Sequence, residues 1–138
     1  LRIGYGLGTA ELVNCLNLVR SPFNTSSVAQ AAAMAALDDH AHVSASLEHN
    51  RREMAWLRGQ LDSLGIRFVP SVTNFLLLDT GQDANQMFQL LLREGVIVRP
   101  MKENGFPTSI RVSIGLREEN ARLVEALRRV ASPVRIPA

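Results

Sequence analysis

Two runs, Gly65-Ile66-Arg67-Phe68-Val69-Pro70 and Asn74-Phe75-Leu76-Leu77-Leu78-Asp79, decide the fold class. Each is a short apolar stretch bounded by turn-forming residues, which reads as a strand over 67–70 and another over 75–79. Asp83 then offers a carboxylate to the free amides of a helix running to Arg93, and Gly95 releases the chain into a strand over 96–99. Ile110, Val112 and Ile114 alternate with Arg111 and Ser113, so the last strand has one apolar face and presents Arg111 on the other. A closing helix over 117–130 is amphipathic through Leu123, Leu127 and Val130. The order strand, strand, helix, strand, strand, helix predicts a small α/β domain whose sheet is covered by helices on one side.

Upstream the grammar changes. Asp38 and Asp39 start a long helix ending at Gly65, with Val43, Leu47, Met54, Leu57, Leu61 and Leu64 at alternating four-and-three spacing, interrupted by Asn50. That spacing predicts one helix packed along its length on a neighbour. Before it, Ser27-Val28-Ala29-Gln30 matches a capping box ahead of an alanine-rich helix to Leu37, whose small surface predicts burial. Thr9 caps an earlier helix with Glu11 in its first turn and an apolar stripe of Leu12, Leu16 and Val19. Leu1 to Tyr5 reads as a buried strand ending in a glycine-rich turn. One lone strand and two helices cannot enclose a core. With no initiator Met and an apolar opening, the sequence is expected to be a piece of a longer protein.

Composition narrows the function classes. The 138 residues are 46% hydrophobic and 20% charged, a globular balance. No apolar run approaches the roughly 20 residues that span a bilayer, and no signal-peptide grammar opens the chain. Lys102 is the only lysine among 15 basic residues, and the arginines are spread among acids with a net charge of +2. A nucleic-acid binder would gather them in one stripe. Cys15, the single cysteine, excludes an internal disulfide and a multi-cysteine metal cluster, and fits a reducing, cytoplasmic setting.

Few constellations carry chemistry. Gly4-Tyr5-Gly6-Leu7-Gly8 lacks the third Gly or Ala of a dinucleotide fingerprint, since Thr9 stands there, and reads as a turn. His40, His42 and His49 have no ligand spacing, so surface positions and no metal site are expected. Lys102, in the polar Lys102-Glu103-Asn104-Gly105 loop, is expected to be solvated. The arginines on strands say more. Arg2 interrupts an apolar run, Arg111 stands inside a regular strand and Arg99 ends another. A guanidinium fork in such a place asks for an acid of the fold or a bound carboxylate or phosphate. For Arg111 the local alternative is a salt bridge to an acid such as Glu118.

Leu1-Arg2-Ile3-Gly4-Tyr5-Gly6, Ser21-Pro22-Phe23-Asn24-Thr25-Ser26-Ser27 with Ala29-Gln30-Ala31-Ala32, Pro70-Ser71-Val72-Thr73-Asn74-Phe75-Leu76-Leu77, Gly95-Val96-Ile97-Val98-Arg99-Pro100 and Ile110-Arg111-Val112-Ser113-Ile114-Gly115 occur in this order. Together they resemble the C-terminal part of histidinol-phosphate aminotransferases, within the class I and II family that depends on pyridoxal 5'-phosphate. The resemblance implies the small C-terminal domain of a fold-type I transferase: 1–37 as the tail of the large cofactor-binding domain, 38–65 as a linking helix, 66–138 as the small α/β domain. It implies that Arg2 holds the cofactor phosphate and that Arg111 binds the substrate anion, with Arg99 and Asn74 as further substrate-binding residues. The Schiff-base lysine would stand upstream of Leu1, so no catalytic residue falls in this chain and the chain alone is expected to be inactive. A homodimer follows from the same resemblance, with the Pro22-Phe23-Asn24 loop near the partner subunit. Leu116 departs from the pattern, standing where a hydroxyl residue often caps the last helix.

Two other readings stay open at this point. A threonine-phosphate decarboxylase, or an aminotransferase for another amino acid, shares these motifs. From a different class, the chain could be a non-catalytic α/β module for dimerisation or ligand binding.

Overall fold

The computed structural model describes residues 1–130, so the end of the expected small domain, 131–138, lies outside the described residues. The chain divides into two units, Leu1–Ala45 and Ser46 onward.

In the first unit, helix α1 (Ala10–Val19) begins where Thr9 Oγ1 accepts from the Leu12 amide at 3.3 Å. Helix α2 (Ser27–Asp38) is capped one residue earlier than the sequence suggests. Ser26 Oγ accepts from the Ala29 amide at 3.2 Å, and Gln30 Nε2 donates to Thr25 Oγ1 at 3.0 Å instead of closing a box with Ser27. Residues 1–5 form no strand: the first unit contains no other strand that could complete their backbone hydrogen bonds. Ile3, Gly4 and Tyr5 instead line a cleft with Ala33, Ala36 and Leu37 of α2, the close approach that alanines permit. Burial of the alanine-rich helix is not observed: Ala29 is its single buried residue, and no residue of α1 is buried. Two helices and an extended segment leave each apolar stripe with nothing to cover its outer side.

Helix α3 (His40–Ser63) starts where Asp39 Oδ1 accepts from the His42 amide at 3.0 Å. It ends in a Schellman closure, with Ile66 N–H donating to the Leu61 carbonyl and Gly65 N–H to that of Asp62. Gly65 supplies the required φ of +67°. The predicted seam packs only over its second half: Met54, Leu57 and Leu61 are buried, while Val43 and Leu47 are exposed.

The second unit holds a four-stranded antiparallel sheet of β1 (Arg67–Val69), β2 (Phe75–Asp79), β3 (Arg99–Pro100) and β4 (Ser109–Ser113), in the order β1-β2-β4-β3. Helices α4 (Ala84–Arg93) and α5 (Arg117–Val130) complete it. The predicted strand over 96–99 shrinks to Arg99–Pro100, since only Arg99 and Pro100 reach register with β4. Val98 still turns inward while Ile97 is 81% exposed. The sheet's inner face, Leu76, Leu78, Ile110 and Val112, packs on α3, α4 and α5 through Leu57, Leu61, Met87, Leu91, Leu123 and Leu127. Asp83 caps α4 as predicted, accepting from Asn85 and Gln86 amides. Lys102 is not free in solvent: its ammonium pairs with that Asp83 carboxylate and holds the Asp83 pKa below the usual value.

One polar cluster lies inside this packing. Glu53 on α3 and Asn120 on α5 are each 2% exposed. Glu53 Oε2 accepts from Arg117 Nε at 2.9 Å and Asn120 Nδ2 at 3.2 Å, and Oε1 accepts from Arg117 Nη2 at 3.1 Å. Asn120 also closes on the turn after β4, accepting from Gly115 N–H and donating to the Gly115 carbonyl, each at 3.0 Å. Arg117 stacks on Trp56, its Cζ 4.5 Å from the ring centroid. The missing hydroxyl at 116 is replaced by Glu119, whose Oε2 accepts from the Leu116 amide at 2.7 Å.

Hydrogen bonds from Arg117 are the main reason the Glu53 carboxyl is held down to about 2 from 4.5. A depressed carboxylate contributes stability that is full above its unfolded pKa and fades as pH falls through the folded one. The stability difference between the native chain and Glu53→Gln should therefore be largest near neutrality and shrink from about pH 4.5 to about pH 2. Urea unfolding followed by Trp56 fluorescence across that range measures it; a difference independent of pH would show that Glu53 is not charged in the fold.

Candidate functional site

The sheet's outer face carries the alternate side chains: Val69 of β1, Phe75 and Leu77 of β2, Arg111 of β4 and Arg99 of β3. The period of two that sends Ile110 and Val112 into the core sends Arg111 out. Its strand neighbours are Leu77 on one side and Arg99 on the other, in direct register. Two guanidinium-bearing residues thus face each other across adjacent strands, a pairing that destabilises a sheet unless an anion lies between.

Neither arginine is neutralised. Arg111 Cζ sits 5.1 Å from the centroid of the Phe75 ring, a cation–π contact that orients the head without cancelling its charge. Among the described residues neither forms an ion pair, so the salt bridge from Arg111 to Glu118 is absent. By contrast the same sheet neutralises Arg67, which bonds Asp79 Oδ2 at 2.6 Å.

A cavity of about 630 Å³ opens beside this pair, between 95–99, the end of β4 and the start of α5. Arg99, Arg111, Ser113, Glu119 and Arg122 are its polar walls, and Val98, Val112 and Leu123 form its floor. Gly95, at φ +74°, is where the wall closes on itself: a Cβ there would lie 2.3 Å from Arg122 Nη2. The cavity exists because β3 is so short, leaving the outer edge of β4 beyond Arg111 without a ladder.

The other candidate residues lie elsewhere. Asn74 immediately precedes β2, where its carbonyl accepts from Ile114 N–H at 2.8 Å; its side chain is exposed and does not line the cavity. Arg2 belongs to the first unit, is exposed at φ +55°, and has no ion pair among the described residues. Of the histidines, His49 Nε2 lies 3.1 Å from the Gly115 carbonyl and its Nδ1 3.4 Å from Arg52 Nη2, and no metal-binding cluster is found among the described residues. Arg122 is not among the candidate residues of the sequence, and Gly95 reads there only as a turn after a helix. For Gly95 the signal was present, a glycine directly after a helix, but nothing local to Arg122 separates it from the solvated arginines of α5.

Comparison with known proteins gives a consistent picture. Residues 1–127 match the family described as aminotransferase class I and II. The chain is 49% identical over 130 residues to histidinol-phosphate aminotransferase 2 of Pseudomonas aeruginosa, covering 94% of this chain and 35% of that protein. It is 44% identical over 127 residues to the histidinol-phosphate aminotransferase of Geobacillus thermodenitrificans, covering 92% and 35%. Thus the chain spans about a third of the length of the curated relatives it matches. Among solved structures, an aminotransferase of Burkholderia pseudomallei described as putative superposes with a TM-score of 0.79 at 26% identity, covering 91% of this chain and 38% of that one. The histidinol-phosphate aminotransferase of Clostridium acetobutylicum gives 0.75 at 22% identity, covering 88% and 38%, which shows the shared fold.

The opposed pair makes a stability prediction. Arg99→Gln removes one of two facing positive charges and should raise the melting temperature at low ionic strength, with the gain shrinking as salt screens the repulsion. Thermal unfolding at low and high salt checks it. A loss of stability at both would mean that Arg99 has a structural acid.

Proposed function

Because the chain belongs to the class I and II aminotransferase family, we propose that the whole protein is a pyridoxal-phosphate-dependent aminotransferase and that this part of it recognises anions. The observation that carries the reading is the register pair Arg99 and Arg111, facing each other with no acid between them. Such a pair is a cost to the sheet and an asset to a site that alternates between two anionic substrates. The names of the similar proteins suggest histidinol phosphate as amino donor, and the family resemblance implies 2-oxoglutarate as acceptor. A phosphate and a carboxylate both offer paired oxygens to a planar fork, so one arginine serves both half-reactions. Phe75 under Arg111 fixes the head while leaving its outer N–H groups to the ligand.

Pyridoxal phosphate, when bound, supplies the electron sink that lets the substrate lose its Cα proton and part with its amino group. The residue this chain offers it is Arg2, whose exposed guanidinium, free of ion pairs among the described residues, fits one phosphate group. Lys102 is the only side-chain amine in the sequence and is held by Asp83, so the lysine that anchors the cofactor belongs to another part of the protein. Asn74 acts by tying β2 to the end of β4 through its carbonyl, which steadies the strand that carries Arg111. The setting we propose is the cytoplasm, in keeping with the single cysteine and with the lack, among the described residues, of a helix able to cross a membrane.

In the full-length enzyme, Arg111→Ala should lower kcat/KM for both amino donor and keto acid by a factor on the order of ten to a hundred, the loss of a charge-assisted pair of hydrogen bonds, with little change in melting temperature. Steady-state kinetics with each substrate, alongside calorimetry, tests this. Normal kinetics with reduced stability would make Arg111 a structural residue.

A homodimer is part of the same proposal. Phe23 is fully exposed and held at φ +53°, a backbone region costly for an aromatic residue, which suits a ring kept in place for a partner subunit. Sedimentation of the full-length protein should give a dimer at micromolar concentration, and Phe23→Ser should shift it toward monomer. A monomeric native enzyme would exclude the dimer.

A further inference from the structure

We infer that Arg122 is a specificity-determining residue: the third arm of an anion site with Arg99 and Arg111, selecting a doubly charged phosphate group over a single carboxylate. The inference deepens the reading of the Arg99–Arg111 pair as the substrate-anion site and adds a residue from a different element.

Three observations carry it. All three arginines line one cavity of about 630 Å³. Among the described residues none of them forms an ion pair, although α5 places Arg128 and Arg129 on Glu125 and Glu94, 2.6 and 2.8 Å away. The one carboxylate lining the cavity, Glu119, is already committed, accepting the Leu116 amide at 2.7 Å and lying so close to Gly115 that a Cβ there would be 2.4 Å from Oε2. Three cationic side chains thus line one hollow, and a ligand carrying more than one negative charge offsets the repulsion among them.

Gly95 explains how Arg122 gets there. α5 lies on the inner side of the sheet, and its Arg122 reaches the cavity by passing against Gly95, which carries no side chain. At Gly95 the backbone turns through φ +74° and leaves the space that Arg122 Nη2 occupies. A helix residue is thereby brought into the same hollow as two strand residues. Arg99 and Arg111 are enough for the paired oxygens of a carboxylate, whereas a tetrahedral phosphate has a third oxygen for Arg122.

The test is anion binding to the chain by NMR at constant ionic strength, with inorganic phosphate and acetate as probes, read at the Gly95 amide and the arginine Nε–H groups. Phosphate should shift both Gly95 and Arg122. Arg122→Gln should weaken phosphate about tenfold, one charge-assisted contact, and leave acetate within about twofold. Arg122→Lys, which keeps the charge and loses the fork, should recover only part of the phosphate affinity. Arg129→Gln, which removes the same charge from an ion-paired position on the same helix, should leave both anions within about twofold. Equal effects of Arg122→Gln and Arg129→Gln would reduce the result to net charge and overturn the inference. So would an unshifted Gly95 on addition of phosphate. Arg111→Gln separates this from the broader reading. If Arg111→Gln changes neither anion while Arg122→Gln still weakens phosphate, the strand pair fails as the substrate-anion site and the Arg122 contact stands.

Discussion

The Glu53 carboxylate, buried on α3 and bonded by Arg117 and Asn120 of α5, fixes the geometry on which the rest of the second unit depends. A lone buried charge would be costly, but here every strong acceptor direction meets a donor, and the guanidinium that supplies two of them is itself stacked on Trp56. Through Asn120 the same cluster grips both backbone groups of Gly115, where β4 ends and α5 begins. The strand that bears Arg111 and the helix that bears Arg122 therefore leave one anchored turn, and their relative position does not rest on loop contacts.

That rigidity makes the arginine arrangement possible. A sheet edge with Arg99 facing Arg111 would relax if the strands could slip, but β4 is locked on its other side by a five-residue register with β2. The inner face resists slippage too, because moving β4 by one residue would send Ile110 and Val112 to the surface and Arg111 into the core. The same unit pairs Arg67, Arg117, Arg128 and Arg129 with acids, whereas Arg99, Arg111 and Arg122, which line the cavity, form no ion pair among the described residues.

Local chemistry was readable where a short-range rule governs it. Asp83 as a helix cap, Gly65 as a left-handed closure, β2 over 75–79, α5 over 117–130 and the outward placement of Arg111 all follow from residues within one or two turns of each other. The failures share a cause. Residues 1–5 have strand composition but no other strand in the first unit to pair with, and the alanine-rich α2 has a surface fit for burial with no element there to bury it. In 96–99 the β-branched run predicted a strand, while the register with β4 admitted only Arg99 and Pro100.

The sequence by itself determined the order of helices and strands from α1 onward, the caps Thr9 and Asp83, the two faces of β4 and, through its motifs, the family to which the chain belongs. Each of these depends on spacing along one strand or helix. Tertiary structure alone decided that Glu53 is a buried anchor, that Lys102 is spent on Asp83, that Arg99 stands opposite Arg111, and that Gly95 leaves room for Arg122. Those facts join residues up to 67 positions apart, as in the bond from Asn120 to Glu53. Only the packing of one element on another sets such distances, and it is there that a charge either finds its partner or is left for a ligand.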